Sequence, residues 1–271
     1  MIPIIQLALA EDIGTGDVTT TSCVAPDRRA TGTFLAREPL TLAGTTVLSE
    51  IYEARGGVDA LELHHADGEN LAANTPIATV RGLARTLLEC ERTVLNFLQR
   101  LSGVATMARQ YAAEVEGTNC RVLDTRKTTP GLRQLEKAAT AAGGVVNHRM
   151  GLYDAILIKN NHIAAAGGVR QAISNARAAS SFAIEIEVRT LAELDEALAW
   201  NADHLLLDNL TPAQARDWIA RIAGRAKVEL SGGITLDTVR LYAETGTDFV
   251  SVGAITHSAP AVDISFRLEL T

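Results

Sequence analysis

The sequence is poor in aromatic residues, in cysteine and in net positive charge. Phe, Trp and Tyr together make up 4% of its 271 residues, and the formal net charge is −7. A nucleic-acid partner is disfavoured, because such surfaces need a broad basic face and rings on which bases stack. The three cysteines, Cys23, Cys90 and Cys120, form no C-x-x-C pair and leave at least one thiol unpaired. That pattern favours a reducing, cytoplasmic location over a disulfide framework or a zinc site.

Long hydrophobic runs are also missing. No window reaches the roughly 18 consecutive apolar residues that a membrane-spanning helix needs, so we expect no membrane partner. The stretch MIPIIQLALAEDIG begins apolar, but it has no basic n-region and it runs into acidic residues. It therefore predicts an amphipathic helix that ends at Gly14 rather than a signal peptide. The following GTGDVTT predicts a turn.

The chain changes its pattern near residue 103. Residues 1–103 mix short helical and strand-like stretches with Gly and Pro between them, which predicts a separate domain of mixed α/β structure. In residues 104–256, apolar runs alternate with Ala-rich helical stretches; the runs are RVLDT, DAILIKN, FAIEIEV, HLLLDN, KVELSGG and DFVSVG. This alternation predicts a parallel sheet covered on both faces. Six strands, with GGVVNH as a seventh candidate, favour a closed or nearly closed β/α barrel over an open doubly wound sheet.

A long segment from Thr86 to about Val115 joins the two parts. Its apolar residues recur at helical spacing, which predicts helix throughout. Ser102 and Gly103 interrupt the pattern, so either two helices or one kinked helix would fit.

Polar residues stand where the predicted barrel strands end. Cations follow the early strands, carboxylates the middle ones and glycines the late ones; the residues are Arg126, Lys127, His148, Arg149, Lys159, Glu187, Asp208, Ser231, Gly232, Gly233 and Gly253. Because β/α barrels place their chemistry at the carboxyl ends of the strands, these side chains are predicted to share one site. Glu185, on the same strand face as Glu187, is expected to support it.

Charge is concentrated in the same region. Residues 124–162 hold six Lys or Arg and three Asp or Glu, a local charge of +3 against −10 for the rest of the chain. A cationic pocket in an acidic protein predicts a small, highly anionic ligand, for which Arg offers a planar fork and Lys a compact charge. Glycine turns let backbone N–H groups approach a phosphate closely. Glu187 and Asp208 would suit ribose hydroxyls or a Mg²⁺ ion held through a diphosphate.

These motifs resemble the quinolinate phosphoribosyltransferase family over nearly the whole chain. The matching blocks are LAEDIGTGDVTT, ERTVLNFLQRLSGVAT, DTRKTTPG, GGVVNHRMGLYDAILIKNNH, IEIEV, LLLDN, ELSGGI and SVGAITHS. The resemblance implies transfer of phosphoribosyl from phosphoribosyl pyrophosphate to quinolinate with decarboxylation, and a requirement for Mg²⁺. For residues 1–103 it implies an α/β sandwich domain, which the tail 257–271 joins. It also implies a homodimer with shared active sites, or a hexamer built from such dimers, in which Arg92 reaches the partner's site.

The resemblance also implies roles for individual residues. Lys127, Glu187 and Asp208 would be catalytic, and Glu187 and Asp208 would hold the metal directly or through the diphosphate. The residues implied in substrate binding are these three and Arg92, Thr125, Arg126, His148, Arg149, Lys159, Ser231, Gly232, Gly233, Val252, Gly253 and Ala254.

Two positions depart from the family pattern. Asn161 stands where many relatives would have an acid, and Arg189 stands where a further acidic or polar residue is expected. Two other functions fit the same residues: a phosphoribosyltransferase of this fold for another acceptor such as nicotinate, and a non-catalytic protein that binds phosphorylated metabolites. The number of cations favours a dicarboxylate acceptor.

Overall fold

The computed structural model describes residues 3–270, which form two compact units. Among the described residues, the first unit consists of residues 3–109, 129–144 and 258–270, and the second of residues 110–128 and 145–257. The predicted domain boundaries fall after residues 103 and 256, whereas the first unit of the structure extends to residue 109, also includes residues 129–144, and resumes at residue 258. Residues 1, 2 and 271, which the predicted domains include, lie outside the described residues.

The elements up to residue 114 are short except for one long helix. In chain order they are α1 (Pro3–Ile13), α2 (Val18–Cys23), β1 (Arg29–Ala36), β2 (Leu40–Thr41), α3 (Thr45–Ala54), β3 (Ala60–Leu63), β4 (Asn70–Leu71), β5 (Pro76–Leu83) and α4 (Ala84–Glu114). The predicted turn over GTGDVTT is confined to its first residues, because Asp17 accepts a hydrogen bond from the N–H of Thr20 and begins α2.

The later elements alternate between strand and helix. They are β6 (Arg121–Leu123), α5 (Arg133–Ala142), β7 (Ile156–Ile158), α6 (Asn160–Ala166), α7 (Val169–Ala179), β8 (Ile184–Val188), α8 (Leu191–Ala199), β9 (His204–Asp208), α9 (Pro212–Ile222), β10 (Lys227–Ser231), α10 (Leu236–Ala243), β11 (Phe249–Ser251), α11 (Ala254–His257) and β12 (Ile264–Leu270). Within residues 3–270, none of the helices has the length and apolar character required to cross a bilayer.

The first unit combines an antiparallel sheet with helices, the α/β arrangement predicted for it. Its four strands lie in the order β12-β1-β5-β3, so a strand from near residue 270 completes a sheet begun near residue 30. Phe34 and Phe266 face each other across this pairing with ring centroids 4.7 Å apart. Contacts of this kind between cross-strand rings stabilise the register.

Helix α4 is one continuous helix, so the alternative of two helices was wrong. Ser102 does not end it; its hydroxyl accepts a hydrogen bond from Ala43 N–H in the buried interior. Gly103 is needed for close packing, because a Cβ atom there would lie 2.0 Å from the carbonyl oxygen of Pro260. The break in the apolar pattern marks a place where backbone approaches backbone.

A buried ion pair explains why residues 129–144 belong to the first unit. Glu136 on α5 is fully buried, and its Oε1 accepts hydrogen bonds from Nε and Nη2 of Arg100 on α4. Thr129 donates to the same carboxylate through its N–H and its hydroxyl, and Arg100 Nη1 donates to the carbonyl of Ala259. Three separate stretches of chain are therefore held at one point.

The second unit contains the predicted parallel sheet. Its strand order is β6-β11-β10-β9-β8-β7, in which the first strand of the unit pairs with the last. An open doubly wound sheet does not bring those two strands together, whereas a sheet that curls round into a barrel does. The predicted β/α barrel is therefore confirmed. The candidate seventh strand, GGVVNH, contributes a single parallel bridge between Val146 and Leu123 rather than a full strand.

Candidate active site

One cavity of about 770 Å³ lies at the carboxyl ends of the barrel strands. Every residue that the sequence analysis assigned to the site, except Arg92, lines it. The residues are brought together because parallel neighbours end at the same edge: Asp208 closes β9 beside Ser231, which closes β10. Arg92 lies on α4 of the first unit, where its side chain is exposed.

Arg126 and Lys127 follow β6 in a turn held by nearby hydroxyl groups. The N–H of Lys127 donates to Oγ1 of Thr125 at 3.1 Å, and its carbonyl accepts from Oγ1 of Thr256 at 2.8 Å. Gly253 gives the lysine side chain room, since a Cβ there would lie 2.9 Å from Lys127 Cδ. The backbone around Lys127 is therefore fixed while its side chain stays exposed toward the cavity.

His148 is placed by a buried acid. The carboxylate of Asp124, at the end of β6, accepts hydrogen bonds from His148 N–H at 2.8 Å and from Nδ2 of Asn147 at 2.7 Å. The imidazole Nε2 then lies 3.2 Å from Oε2 of Glu185 and 3.5 Å from Oε2 of Glu229. Both glutamates are buried, and the Oε1 atom of each has no hydrogen-bond partner.

Two effects compete over the charge of His148. Burial opposes the charged ring, but hydrogen bonds to Glu185 and Glu229 raise its pKa to about 10. Its Nδ1, however, accepts a hydrogen bond from the N–H of Arg149 at 2.7 Å, which requires Nδ1 to be unprotonated. A charged His148 must give up that bond. The hydrogen bond at Nδ1 therefore opposes the charged ring that the two glutamates favour, and burial raises the pKa of Glu229 beside it.

Arg149 and Arg126 concentrate positive charge at the mouth of the cavity. Burial, followed by the like charge of Arg126, lowers the pKa of Arg149, which nevertheless stays a cation because free arginine titrates so high. Arg149 Nη1 donates to the carbonyl of Ala155 at 3.1 Å, which orients the guanidinium. Two guanidinium groups that repel each other are a ready site for an anion.

The carboxylates Glu187 and Asp208 have different surroundings. Glu187 is buried, with Arg189 Nε and Nη2 at 2.9 and 2.6 Å from Oε1 and Lys159 Nζ at 3.6 Å from Oε2. Asp208 accepts one hydrogen bond on each oxygen, from Ser231 Oγ at 2.6 Å and from Asn209 Nδ2 at 2.7 Å. Glu187 is thus paired with cations, whereas Asp208 has only neutral donors.

This donor set fits Mg²⁺ through Asp208 better than through Glu187. Each Asp208 oxygen keeps a free lone pair, and Mg²⁺ in proteins is commonly bound by one or two carboxylates together with substrate phosphates. Both Glu187 oxygens already face a cation, so direct coordination there would require Arg189 or Lys159 to move. A third group, His148 with Glu185 and Glu229, has donor atoms within 4.8 Å of one another, but the Nε2–H already faces those oxygens.

The turn after β10 needs glycine for steric reasons. Gly232 has a left-handed φ of +98°, and a Cβ atom there would lie 2.2 Å from Oδ1 of Asn209. The N–H of Asn209 in turn donates to Ser231 O at 2.8 Å. The backbone at this edge is therefore exposed to the cavity without a side chain in the way, as close approach of a phosphate requires.

Several lining residues were missed at the sequence level. Glu229, Asn160, Asn209 and His257 line the cavity, and so does Arg189, which was noted only as a departure. The signal for Glu229 was an acid inside the apolar run KVEL, since a carboxylate in a strand covered on both faces needs a partner. Conversely, two of the six cations counted in residues 124–162, Arg133 and Lys137, belong to α5 of the first unit.

Comparisons with known proteins match the chain along its length. The family model of the quinolinate phosphoribosyl transferase N-terminal domain matches residues 17–102, and that of the C-terminal domain matches residues 104–267. A Bacillus subtilis protein named probable nicotinate-nucleotide pyrophosphorylase [carboxylating] is 41% identical, over 96% of this chain and 91% of its own.

Two further relatives are similar to the same extent. The nicotinate-nucleotide pyrophosphorylase [carboxylating] of Mycobacterium leprae is 41% identical, over 97% of this chain and 95% of its own. The solved structure of the nicotinate-nucleotide pyrophosphorylase from Francisella tularensis superposes with a TM-score of 0.93 at 36% identity, covering 99% of this chain and 95% of that one.

Proposed function

Because the chain belongs to the quinolinate phosphoribosyltransferase family, we propose that it transfers phosphoribosyl from phosphoribosyl pyrophosphate to quinolinate, with decarboxylation. The products are nicotinate mononucleotide, pyrophosphate and CO₂, and the enzyme is a pentosyltransferase of de novo NAD biosynthesis. The observation that carries this assignment is the convergence of Lys127, Arg149 and Lys159 on one cavity in a chain of net charge −7.

The charge of the substrates matches the charge of the cavity. Quinolinate carries two carboxylates on adjacent ring carbons, and the sugar donor carries a phosphate and a diphosphate. Arg126 and Arg149 suit the carboxylates, because the guanidinium fork matches carboxylate geometry. The glycine turns after β10 and β11 leave backbone groups open to the sugar phosphate.

The first chemical step is attack of the pyridine nitrogen on the anomeric carbon as pyrophosphate leaves. Positive charge develops on the sugar, and the carboxylates of Glu187 and Asp208 stabilise it electrostatically. Lys127 and Lys159, which line the cavity, stabilise the negative charge of the departing diphosphate. Mg²⁺, for which Asp208 is the better-suited ligand, would add Lewis-acid stabilisation of that leaving group.

The second step is loss of the carboxyl group next to the ring nitrogen. That nitrogen is now cationic, so the ring itself accepts the electron pair of the breaking bond. The chain therefore needs no covalent nucleophile. It contributes by orienting the substrates and by stabilising the developing charges electrostatically. Arg149 would hold the remaining carboxylate in place.

The assembly and location predicted above remain part of the proposal. A homodimer with shared sites would give Arg92, exposed on α4, a substrate to bind in the partner's cavity. A reducing cytoplasm accords with three free thiols, two of which, Cys90 and Cys120, have their pKa raised to about 12 chiefly by burial.

The test is a product assay with matched acceptors. The purified chain is incubated with Mg²⁺, phosphoribosyl pyrophosphate and either quinolinate or nicotinate, and products are followed by mass. Nicotinate mononucleotide and CO₂ from quinolinate alone are expected. Product from nicotinate would reassign the acceptor, and no product from either would favour a binding role.

A further inference from the structure

Arg189 is a cavity-lining cation for which the mechanism above has no use. It follows β8 directly, and its N–H donates to Oε2 of Glu193 at 2.7 Å, next to the capping box with which Thr190 begins α8. Its backbone is therefore fixed at the strand end. Its side chain is 50% exposed, so the guanidinium lies at the accessible rim of the cavity.

The guanidinium of Arg189 contacts only one oxygen of its carboxylate partner. Nε and Nη2 both donate to a single oxygen, Oε1 of Glu187, and Nη1 has no hydrogen-bond partner among residues 3–270. A guanidinium bound side-on to a carboxylate would normally use both of its oxygens. Here the other oxygen, Oε2, faces Nζ of Lys159 at 3.6 Å instead.

At the cavity rim near Glu187, two cationic side chains share one carboxylate. Glu187, 5% exposed, pairs with two cations that are each half exposed, Lys159 and Arg189. Asp208, on the neighbouring strand β9, bonds Ser231 and Asn209 and not Arg189. An arriving anion with several oxygens could take Arg189 while Lys159 continued to neutralise Glu187.

The diphosphate is the substrate group that this edge suits. Arg126 and Arg149 form a separate cationic pair, in which the charge of Arg126 adds to burial in lowering the pKa of Arg149, and they suit the dicarboxylate. Arg189 and Lys159 share Glu187, the carboxylate proposed to face the sugar carbon from which the diphosphate departs. Arginine also binds adjacent phosphate oxygens with the geometry of its fork.

We propose that Arg189 determines the affinity for the diphosphate group of the co-substrate, by exchanging Glu187 Oε1 for diphosphate oxygens when the co-substrate binds. This inference rests on the proposed function. It assigns to Arg189 a ligand contact in addition to its pairing with Glu187.

The test compares Arg189→Ala and Arg189→Lys with the wild-type chain and with Arg177→Ala. Arg177 is a matched control, because it is also 50% exposed and pairs with an acid, Asp203 at 3.7 Å, but lies on α7 away from the lining residues. Binding of inorganic pyrophosphate with excess Mg²⁺ is measured by calorimetry. KM values are measured for both substrates, and circular dichroism checks the fold.

Arg189→Ala is expected to weaken pyrophosphate binding about ten- to hundredfold, as loss of hydrogen bonds to a charged group does. KM for phosphoribosyl pyrophosphate should rise in step while KM for quinolinate changes by less than about twofold. Arg189→Lys should lie between, and Arg177→Ala should match the wild type. Unchanged pyrophosphate affinity with a lower kcat would overturn the proposal, since Arg189 would then only position Glu187. Absence of measurable pyrophosphate binding to the wild type would overturn it too.

The outcome is separable from that of the proposed function. A wild-type chain that binds pyrophosphate through Arg189 yet forms no nicotinate mononucleotide would uphold this inference and reject the reaction. Normal turnover with pyrophosphate affinity insensitive to Arg189 would do the reverse.

Discussion

Arg100 directs two guanidinium N–H groups at one oxygen of Glu136, at 3.0 Å from Nε and 2.8 Å from Nη2. Glu136 is fully buried and Arg100 is 24% exposed. Glu136→Gln would remove the buried carboxylate that pairs with the Arg100 guanidinium, and we expect it to lower the free energy of unfolding by about 3–5 kcal/mol. The measurement is urea denaturation followed by circular dichroism.

An exposed pair provides the control for this variant. Arg240 Nε lies 2.6 Å from Glu244 Oε1 on the surface of the second unit, with both side chains more than 40% exposed. Glu244→Gln should change the free energy of unfolding by no more than about 1 kcal/mol. Equal effects of the two variants would show that burial of Glu136 contributes nothing to stability.

Arg149 is expected to bind a quinolinate carboxylate. Arg149→Ala removes a charged hydrogen-bond donor and should raise KM for quinolinate about ten- to hundredfold, equivalent to about 1.5–3 kcal/mol of binding free energy. Arg149→Lys keeps the charge without the fork and should recover part of the loss. Unchanged affinity for quinolinate, with a normal circular dichroism spectrum, would remove Arg149 from the site.

Gly232 tests whether the turn after β10 shapes the cavity. Gly232→Ala would place a Cβ atom 2.2 Å from Asn209 Oδ1 on a backbone with φ +98°, so both the turn and Asp208's partner Asn209 must shift. We expect kcat/KM to fall at least tenfold, at about 1–3 kcal/mol of backbone strain. Gly246→Ala is the control, because φ is +91° there but the nearest atom is 4.0 Å away. It should lose comparable stability and keep its activity.

Subunit complementation tests the proposed sharing of sites. Arg92→Ala and Lys127→Ala should each be nearly inactive alone, since each leaves every site short of one cation. When the two variants are mixed in equal amounts and exchange subunits, half of the dimers are mixed, and one of the two sites in each mixed dimer is intact. The mixture should therefore recover up to about a quarter of wild-type activity. Exchange is verified by native mass spectrometry, and mixed dimers without activity would argue for sites complete within one chain.

Much of the barrel and its site could be predicted because local signals coincide with the fold. Strands such as HLLLD are apolar on both faces. The residues that end them lie at the carboxyl edge of the barrel, where the cavity opens. The predictions that went wrong depend on distant residues. Nothing near Gly103 in the sequence shows that Pro260 packs against it, so the glycine looked like a break.

The partners of charged residues were equally hidden. Glu136 and Lys137 were counted in the local charge of residues 124–162 that predicted the cationic pocket, yet both are fully buried in the first unit. Whether Arg189 would turn to solvent or to Glu187 was undetermined from IEIEVRT, because either direction satisfies a charged side chain. In the structure the side chain turns to Glu187.

The pairing of β1 with β12 has a consequence for biosynthesis. Ala36 lies opposite Ile264 in the register of this pairing, and all of the second unit is translated between them. A nascent chain must therefore keep one edge of β1 unpaired on the ribosome until the barrel has been synthesised. Such an exposed edge is prone to intermolecular pairing, and a contact this distant in sequence forms slowly. Late closure of the first sheet is thus where chaperones would act and where misfolding would begin.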